Sequence, residues 1–254
     1  MSVAYAILLY VASAVFFGGV FFRVLKYWRT PAPLKIPTMP APVTQAGVVM
    51  RMAREVVLFE SLFKSSMWTW IFGWMFHVSL LLAFFRHLRY AISPDNILWP
   101  LINLELVQAA GKYAGIFMLI GLLGLLARRI FVERVRYISG PSDYLMLILI
   151  LTIAGTGLSI TFLDPTDIVS LKIFVLGLFR FNLQPLPSSL LLQTHLAMVA
   201  LLMIVFPISK LLHAPGIFFS PTRNQVDDAR EKRHLVPWAA KLDATRGHKI
   251  EIKG

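Results

Sequence analysis

The chain contains no cysteine. That excludes an all-cysteine iron–sulfur cluster and a thioether-linked haem, and leaves histidine, methionine and carboxylate as the ligands it can offer a metal. Acidic residues are scarce, 13 Asp and Glu in 254 positions, and none falls in the middle of a long apolar run. Glu105, Asp143, Asp164 and Asp167 all stand near the ends of such runs. A transmembrane proton or cation path normally needs buried carboxylates, so the pattern points to moving electrons rather than ions. No internal repeat is evident, which weakens an inverted-repeat transporter reading.

Apolar side chains dominate instead. With 57% hydrophobic residues, 15% charged and a mean hydropathy of +0.69, the chain is too apolar for a soluble globule of its size. Five stretches, 3–22, 67–85, 109–127, 144–163 and 189–209, reach the roughly 20 apolar residues that a bilayer core requires. The expectation is an all-α, integral membrane five-helix bundle, multi-pass in the cytoplasmic (inner) membrane. The net charge of +12 is broken up by these spans, so it reports topology and not nucleic-acid binding. Connections 22–65 and 127–143 and the tail from 210 hold 20 of the 25 Lys and Arg, against Arg86, Arg89, Lys112, Lys172 and Arg180 on the other side. The positive-inside rule then places the N-terminus outside and the C-terminus in the cytoplasm. No basic segment precedes the first span, whereas Arg23, Lys26 and Arg29 follow it, as in an uncleaved helix.

Two domains are expected: a membrane domain over 1–213 and a charged cytoplasmic tail over 214–254. Residues 31–42 carry five prolines, which favours an extended inner loop without regular hydrogen bonding. The connection with Pro94 and Pro100, and the apolar segment 168–183, are expected to lie along the outer interface.

Four histidines lie in or just past two of the spans: His77 and His87 ten residues apart, His195 and His213 eighteen apart. Ionisable groups at membrane depth are costly and usually functional, and neutral imidazole is an established axial ligand of haem iron. At 1.5 Å per residue the spacings are about 15 Å and about 27 Å along the axis. Their mean, about 21 Å, suits two stacked macrocycles. Antiparallel helices set His77 opposite His213 and His87 opposite His195, and Pro207 offers a bend between the fifth-span histidines. The competing reading is a histidine hydrogen-bonded to a neighbouring helix. His234 and His248, in the polar tail, read as surface residues.

Other residues fit a macrocycle less specifically. Gly73, Gly111 with Gly115, and Gly155 with Gly157 offer clearance for a haem or close helix packing. Arg86 and Arg89 flank His87 and are candidates for pairing with haem propionates, or for snorkelling to the interface. Lys112 is a candidate hydrogen-bond donor to a quinone carbonyl, with the same plain alternative, and Glu105 or Asp164 could exchange a quinone's protons. The basic tail, with Phe218, Phe219 and Trp238 among its charges, has the composition of a docking face or of a segment attracted to anionic lipid.

Four segments carry a family likeness: PLKIPTMPAP (Pro33–Pro42), EVVLFESLFKSS (Glu55–Ser66), HLRY (His87–Tyr90) and HAPGIFFSPTRNQVDDAREKRH (His213–His234). Together with the histidine spacings, they make the chain resemble the nitrate reductase gamma-subunit family of di-haem cytochromes b. Within it the chain is most similar to the DsrM subunit of the sulfite-reductase-associated Dsr membrane complex of sulfur metabolism. The resemblance implies two haem b groups, with His77 and His213 as iron ligands nearer the cytoplasm and His87 and His195 nearer the outer face. It further implies an electron-transfer subunit of an oxidoreductase complex with a quinone site. That subunit would pass electrons between menaquinone or ubiquinone and a cytoplasmic iron–sulfur subunit resembling heterodisulfide reductase, beside other membrane and periplasmic subunits. The long inner loop and charged tail depart from the nitrate reductase pattern. A gamma-type subunit of a nitrate or heterodisulfide reductase stays open as an alternative, and so, from another class, does a haem-free membrane anchor or transporter.

Overall fold

The computed structural model describes residues 1–32, 34–228 and 241–242. Its helices are α1 (Ser2–Arg29), α2 (Gln45–Leu58), α3 (Glu60–Ser65), α4 (Met67–Ala91), α5 (Trp99–Ile102), α6 (Glu105–Phe131), α7 (Glu133–Ile138), α8 (Pro141–Phe162), α9 (Ile168–Phe179), α10 (Leu190–Val205) and α11 (His213–Gly216), and there is no strand among the described residues. Five segments, α1, α4, α6, α8 and Leu190–Ile208, are long and apolar enough to cross a bilayer. Only 11% to 22% of each apolar window is buried, so most of these side chains face outward, as lipid-facing helices require. The chain is a multi-pass helical membrane protein, as its composition predicts.

Contacts divide the chain into two units, Met1–Gly19 with Ser61–Lys210, and Val20–Glu60 with Leu211 onward. In the first unit α4 lies along α6 over most of its length, and α8 packs against both α6 and α10. Glycines make the α4–α6 approach possible. A Cβ on Gly111 would meet the Cβ of Arg86 at 2.6 Å and the carbonyl of Leu82 at 3.0 Å. One on Gly121 would meet the carbonyl of Phe72 at 2.9 Å, and one on Gly124 would strike the Phe72 ring. Gly115 faces the other way, toward Leu158 of α8, so the two glycines of the α6 pair serve different neighbours by plain packing. The buried centre is Phe76, Met118, Leu122 and Ala154.

α1 is tied in by polar groups near its start. The Tyr5 hydroxyl donates to the Gln193 carbonyl at 3.1 Å, and that of Tyr10 to the Leu178 carbonyl at 2.7 Å. Twelve residues give α9 a length of about 18 Å, too short for a hydrocarbon core of about 30 Å. Asp167 caps it, accepting from the Ser170 hydroxyl and from the backbone of Val169 at 3.0 Å. These bonds, the Ser170 hydroxyl first, hold the Asp167 carboxyl below the usual carboxylate range.

The fifth span departs from expectation. α10 stops at Val205, and Pro207, which has no N–H to continue the ladder, sits in a 3-10 turn at Phe206–Ile208 followed by another at Lys210–Leu212. His213 therefore does not share a continuous helix with His195, and the axial spacing of about 27 Å does not apply. Lys210 anchors the broken end, its ammonium 2.9 Å from the carboxylate of buried Asp143 at the start of α8. The same carboxylate accepts from the Gly140 N–H at 3.0 Å, while Arg129 stands 3.8 Å away.

The second unit contains a helix not expected from the sequence. α2 begins at Thr44, whose side chain accepts from the Gly47 N–H at 3.1 Å. Residues 34–44 form neither helix nor strand ahead of it, yet their polar groups are satisfied by the segment after α11. Thr38 N–H donates to the Thr222 carbonyl at 2.9 Å, Ile36 N–H to Gln225 Oε1 at 3.0 Å, and Asp227 N–H to the Pro42 carbonyl at 2.8 Å. Two ion pairs of 2.8 Å, Lys35–Asp228 and Glu55–Arg223, close the same seam. Buried Arg51 donates to the Thr38 carbonyl at 3.0 Å.

Candidate functional site

α4 carries His77 and His87, ten residues apart. Each uses the backbone one turn earlier: Nδ1 of His77 lies 2.7 Å from the Gly73 carbonyl, and Nδ1 of His87 lies 2.6 Å from the Ala83 carbonyl. A carbonyl only accepts, so both Nδ1 atoms carry the proton. His195, on α10, reaches the Thr156 hydroxyl on α8 at 2.9 Å through its own Nδ1. That hydroxyl has one proton and two backbone carbonyls to receive it, those of Thr152 at 2.8 Å and Ile153 at 3.1 Å. It therefore accepts from His195, and Nδ1 of this ring is also the protonated nitrogen. In all three neutral imidazoles the lone pair falls on Nε2, the form that binds a metal, with the opposite nitrogen held by an outer partner.

The rings of His87 and His195 face each other across the gap between α4 and α10, two helices that are not packed backbone to backbone. Their centroids are 6.4 Å apart and their planes differ by 16°. A metal–nitrogen bond of about 2 Å, plus about 1.1 Å from the nitrogen to the ring centre, gives about 6.2 Å between the centres of two imidazoles on opposite sides of one ion. The observed separation leaves room for one metal ion between the two rings. Gly157 makes room on the α8 side, since a Cβ there would lie 3.3 Å from Cε1 of His195. Among the described residues no three His, Asp or Glu side chains converge on one point. Two imidazoles suit an ion whose other ligands come from a macrocycle.

The remaining sequence candidates are placed as follows. Half-buried His77 stands one helical stretch before His87, and exposed His213 opens α11 in the second unit. His234 and His248 lie outside the described residues. Arg86 donates to the Gln108 carbonyl at 2.7 Å, and Arg89 to Gln108 Oε1 at 3.1 Å and to the Tyr90 hydroxyl at 2.8 Å. Lys112 is exposed, with its ammonium 5.5 Å from the Phe162 ring and 5.9 Å from that of Tyr113. Asp164 accepts from Ser189 at 3.2 Å, and Glu105 begins α6. Sequence reasoning did not single out Thr156 or Gln108. A threonine within an apolar run was the signal available for Thr156, because its hydroxyl needs a partner there.

An apolar helical bundle with paired imidazoles in their ligand tautomer defines a class of membrane protein built around intramembrane histidines. The particular family follows from comparison: the model of the nitrate reductase gamma subunit matches residues 42–228, and the chain belongs to that family. It is 32% identical to the Hdr-like menaquinol oxidoreductase cytochrome b-like subunit of Archaeoglobus fulgidus, over 90% of this chain and 81% of that protein. The protein of the same name from Archaeoglobus profundus is 31% identical, over 90% of this chain and 80% of its own length. The nitrate reductase gamma chain of Bacillus subtilis is 29% identical, over 55% of this chain and 68% of its own.

Proposed function

We propose that this chain is the cytochrome b subunit of a quinol-linked redox complex and passes electrons between membrane quinone and a cytoplasmic iron–sulfur partner. The facing pair of His87 and His195 carries the reading, because two Nδ1-anchored imidazoles 6.4 Å apart leave room for one iron between them. When bound, haem b supplies one-electron redox chemistry. The protein's part is to hold two neutral imidazoles in one tautomer, His195 half-buried on α10 and His87 at an exposed position of α4. His77 and His213 are assigned to a second haem, nearer the cytoplasm. Arg86 and Arg89 serve the propionates of the His87/His195 haem, and Lys112 the quinone carbonyl.

Of the two quinones expected, menaquinol is favoured by the names of the Archaeoglobus relatives. Those names also favour an Hdr-like iron–sulfur partner over a nitrate reductase one. The finer assignment to a Dsr-like complex of sulfur metabolism rests on the loop and tail segments of the sequence. The membrane domain over 1–213 is taken to sit in the inner membrane with its N-terminus outside, and the tail over 214–254 to serve as the cytoplasmic docking face.

A pyridine haemochrome assay on the purified chain, paired with dithionite-reduced difference spectra, should return two haem b per chain. One haem would leave the His77/His213 assignment wrong, and none would favour the haem-free anchor or transporter.

A further inference from the structure

The C-terminal end of α4 and the neighbouring α9 hold three cations and no acid to match them. Arg86 and Arg89 project from α4, Lys172 comes from α9, and the two helices are packed together. Both arginines donate to Gln108, and the ammonium of Lys172 lies 3.8 Å over the Trp99 ring. Each of these partners is neutral. Among the described residues no carboxylate stands within 4.0 Å of any of the three. Of the acids in the adjoining connections, Asp95 is engaged by Ser93, Asp164 by Ser189 and Asp167 by the start of α9, while Glu105 opens α6 one turn before Gln108.

Two further observations show that the cluster lacks a counter-charge. Nε of Arg89 is buried with no hydrogen-bond partner, and such a donor costs free energy until an acceptor reaches it. Burial first, and then the charge of Arg89, hold the Lys172 ammonium below the ordinary lysine range. All three cations are partly buried, and an anion reaching them would supply the charge pairing that their neutral partners do not.

We propose that this cluster is a dianion pocket that receives the two propionates of the haem between His87 and His195, with Lys172 as the third cation. The inference rests on the haem reading above. His87 lies between Arg86 and Arg89 in the sequence, and its ring is 6.0 Å from that of Tyr90, the hydroxyl of which is held by Arg89. The arginine forks suit bidentate carboxylate contacts, and the lysine acts as a point charge. A cation held beside the propionates stabilises the haem with its added electron, so the pocket raises that haem's potential. α9, too short to span, thereby serves the site, because it brings the one charge that α4 cannot supply.

The test is an optical redox titration of both haems in membranes containing the whole complex. Lys172→Glu should shift the oxidised-to-reduced equilibrium of the His87/His195 haem about tenfold toward oxidised, 59 mV for one electron. Lys172→Gln should shift it less in the same direction, and Lys172→Arg should restore it. Trp99→Leu removes the ring but keeps the charge, and should leave the potential in place. Selective loss of that haem from Lys172→Glu, with the other retained, would also support the pocket. An unmoved potential in Lys172→Glu, the result expected if a lipid phosphate were the anion, would overturn it. So would loss of both haems from every Lys172 variant, which would make α9 a structural prop. Membranes without any b-type absorption would remove the haem reading itself; two haems with an unmoved potential would remove only this pocket.

Discussion

Thr156→Val tests the site through one hydrogen bond. Valine keeps the branched shape of threonine and replaces the hydroxyl by a methyl group. Thr156 Oγ1 accepts from Nδ1–H of His195 at 2.9 Å while its own proton goes to the carbonyl of Thr152 at 2.8 Å or of Ile153 at 3.1 Å. The substitution leaves a donor in an apolar bundle without its acceptor, at a cost of about 1–3 kcal/mol. Loss of the outer partner of a metal-bound imidazole typically weakens the metal about 10- to 100-fold, or about 1.4–2.8 kcal/mol at 1.4 kcal/mol per decade. The two routes agree, so a roughly 30-fold weaker hold on one haem is expected, with the other unchanged. Transfer of haem to an excess of a soluble haem acceptor, followed by difference spectroscopy, measures it. Thr156→Ser, which keeps the hydroxyl, should behave as wild type. Wild-type retention of both haems in Thr156→Val would refute the assignment of the Nδ1–H tautomer to a ligand role for His195.

Three more outcomes are expected. His87→Ala and His195→Ala should each remove the same haem band and spare the other if the proposed iron is shared by the two rings; difference spectra that lost distinct bands would break the pairing. Gly157→Val should displace the His195 ring, because even a Cβ would lie 3.3 Å from Cε1, and Gly157→Ala should give a smaller loss of the same haem in the pyridine haemochrome assay. Arg223→Glu sets like charges where a 2.8 Å ion pair with Glu55 now stands; limited proteolysis should cut the 31–42 loop faster while both haem bands persist.

The five spans were legible because a run of about 20 apolar residues has few structural outlets; the stretch 67–85 lies inside Met67–Ala91, and 109–127 inside Glu105–Phe131. α9 was legible as a segment set apart by Asp167 and Arg180, which are its two caps. α2 was not, because its 14 residues mix Arg51, Arg54 and Glu55 among the valines and have no long apolar run to mark them. Pro207 was read as a bend and is instead part of an ending, because two 3-10 turns follow it before His213. Histidines at regular spacing announce themselves in a string of letters. Thr156, Gln108 and the role proposed for Lys172 do not, since each depends on which helices become neighbours: α8 beside α10, α6 beside α4, α9 beside α4.

The glycines of α6 also carry constraint toward the candidate site. Gly111, Gly121 and Gly124 let α4 and α6 meet at backbone distance, so His77 and His87 stand on a helix that one added methyl group on α6 would push aside. α10 rests on α8, with Lys210 tied to Asp143 beyond its end, and faces α4 through the His195 ring. Substitutions on α6, which holds none of the four histidines, therefore reach the site through the backbone of α4.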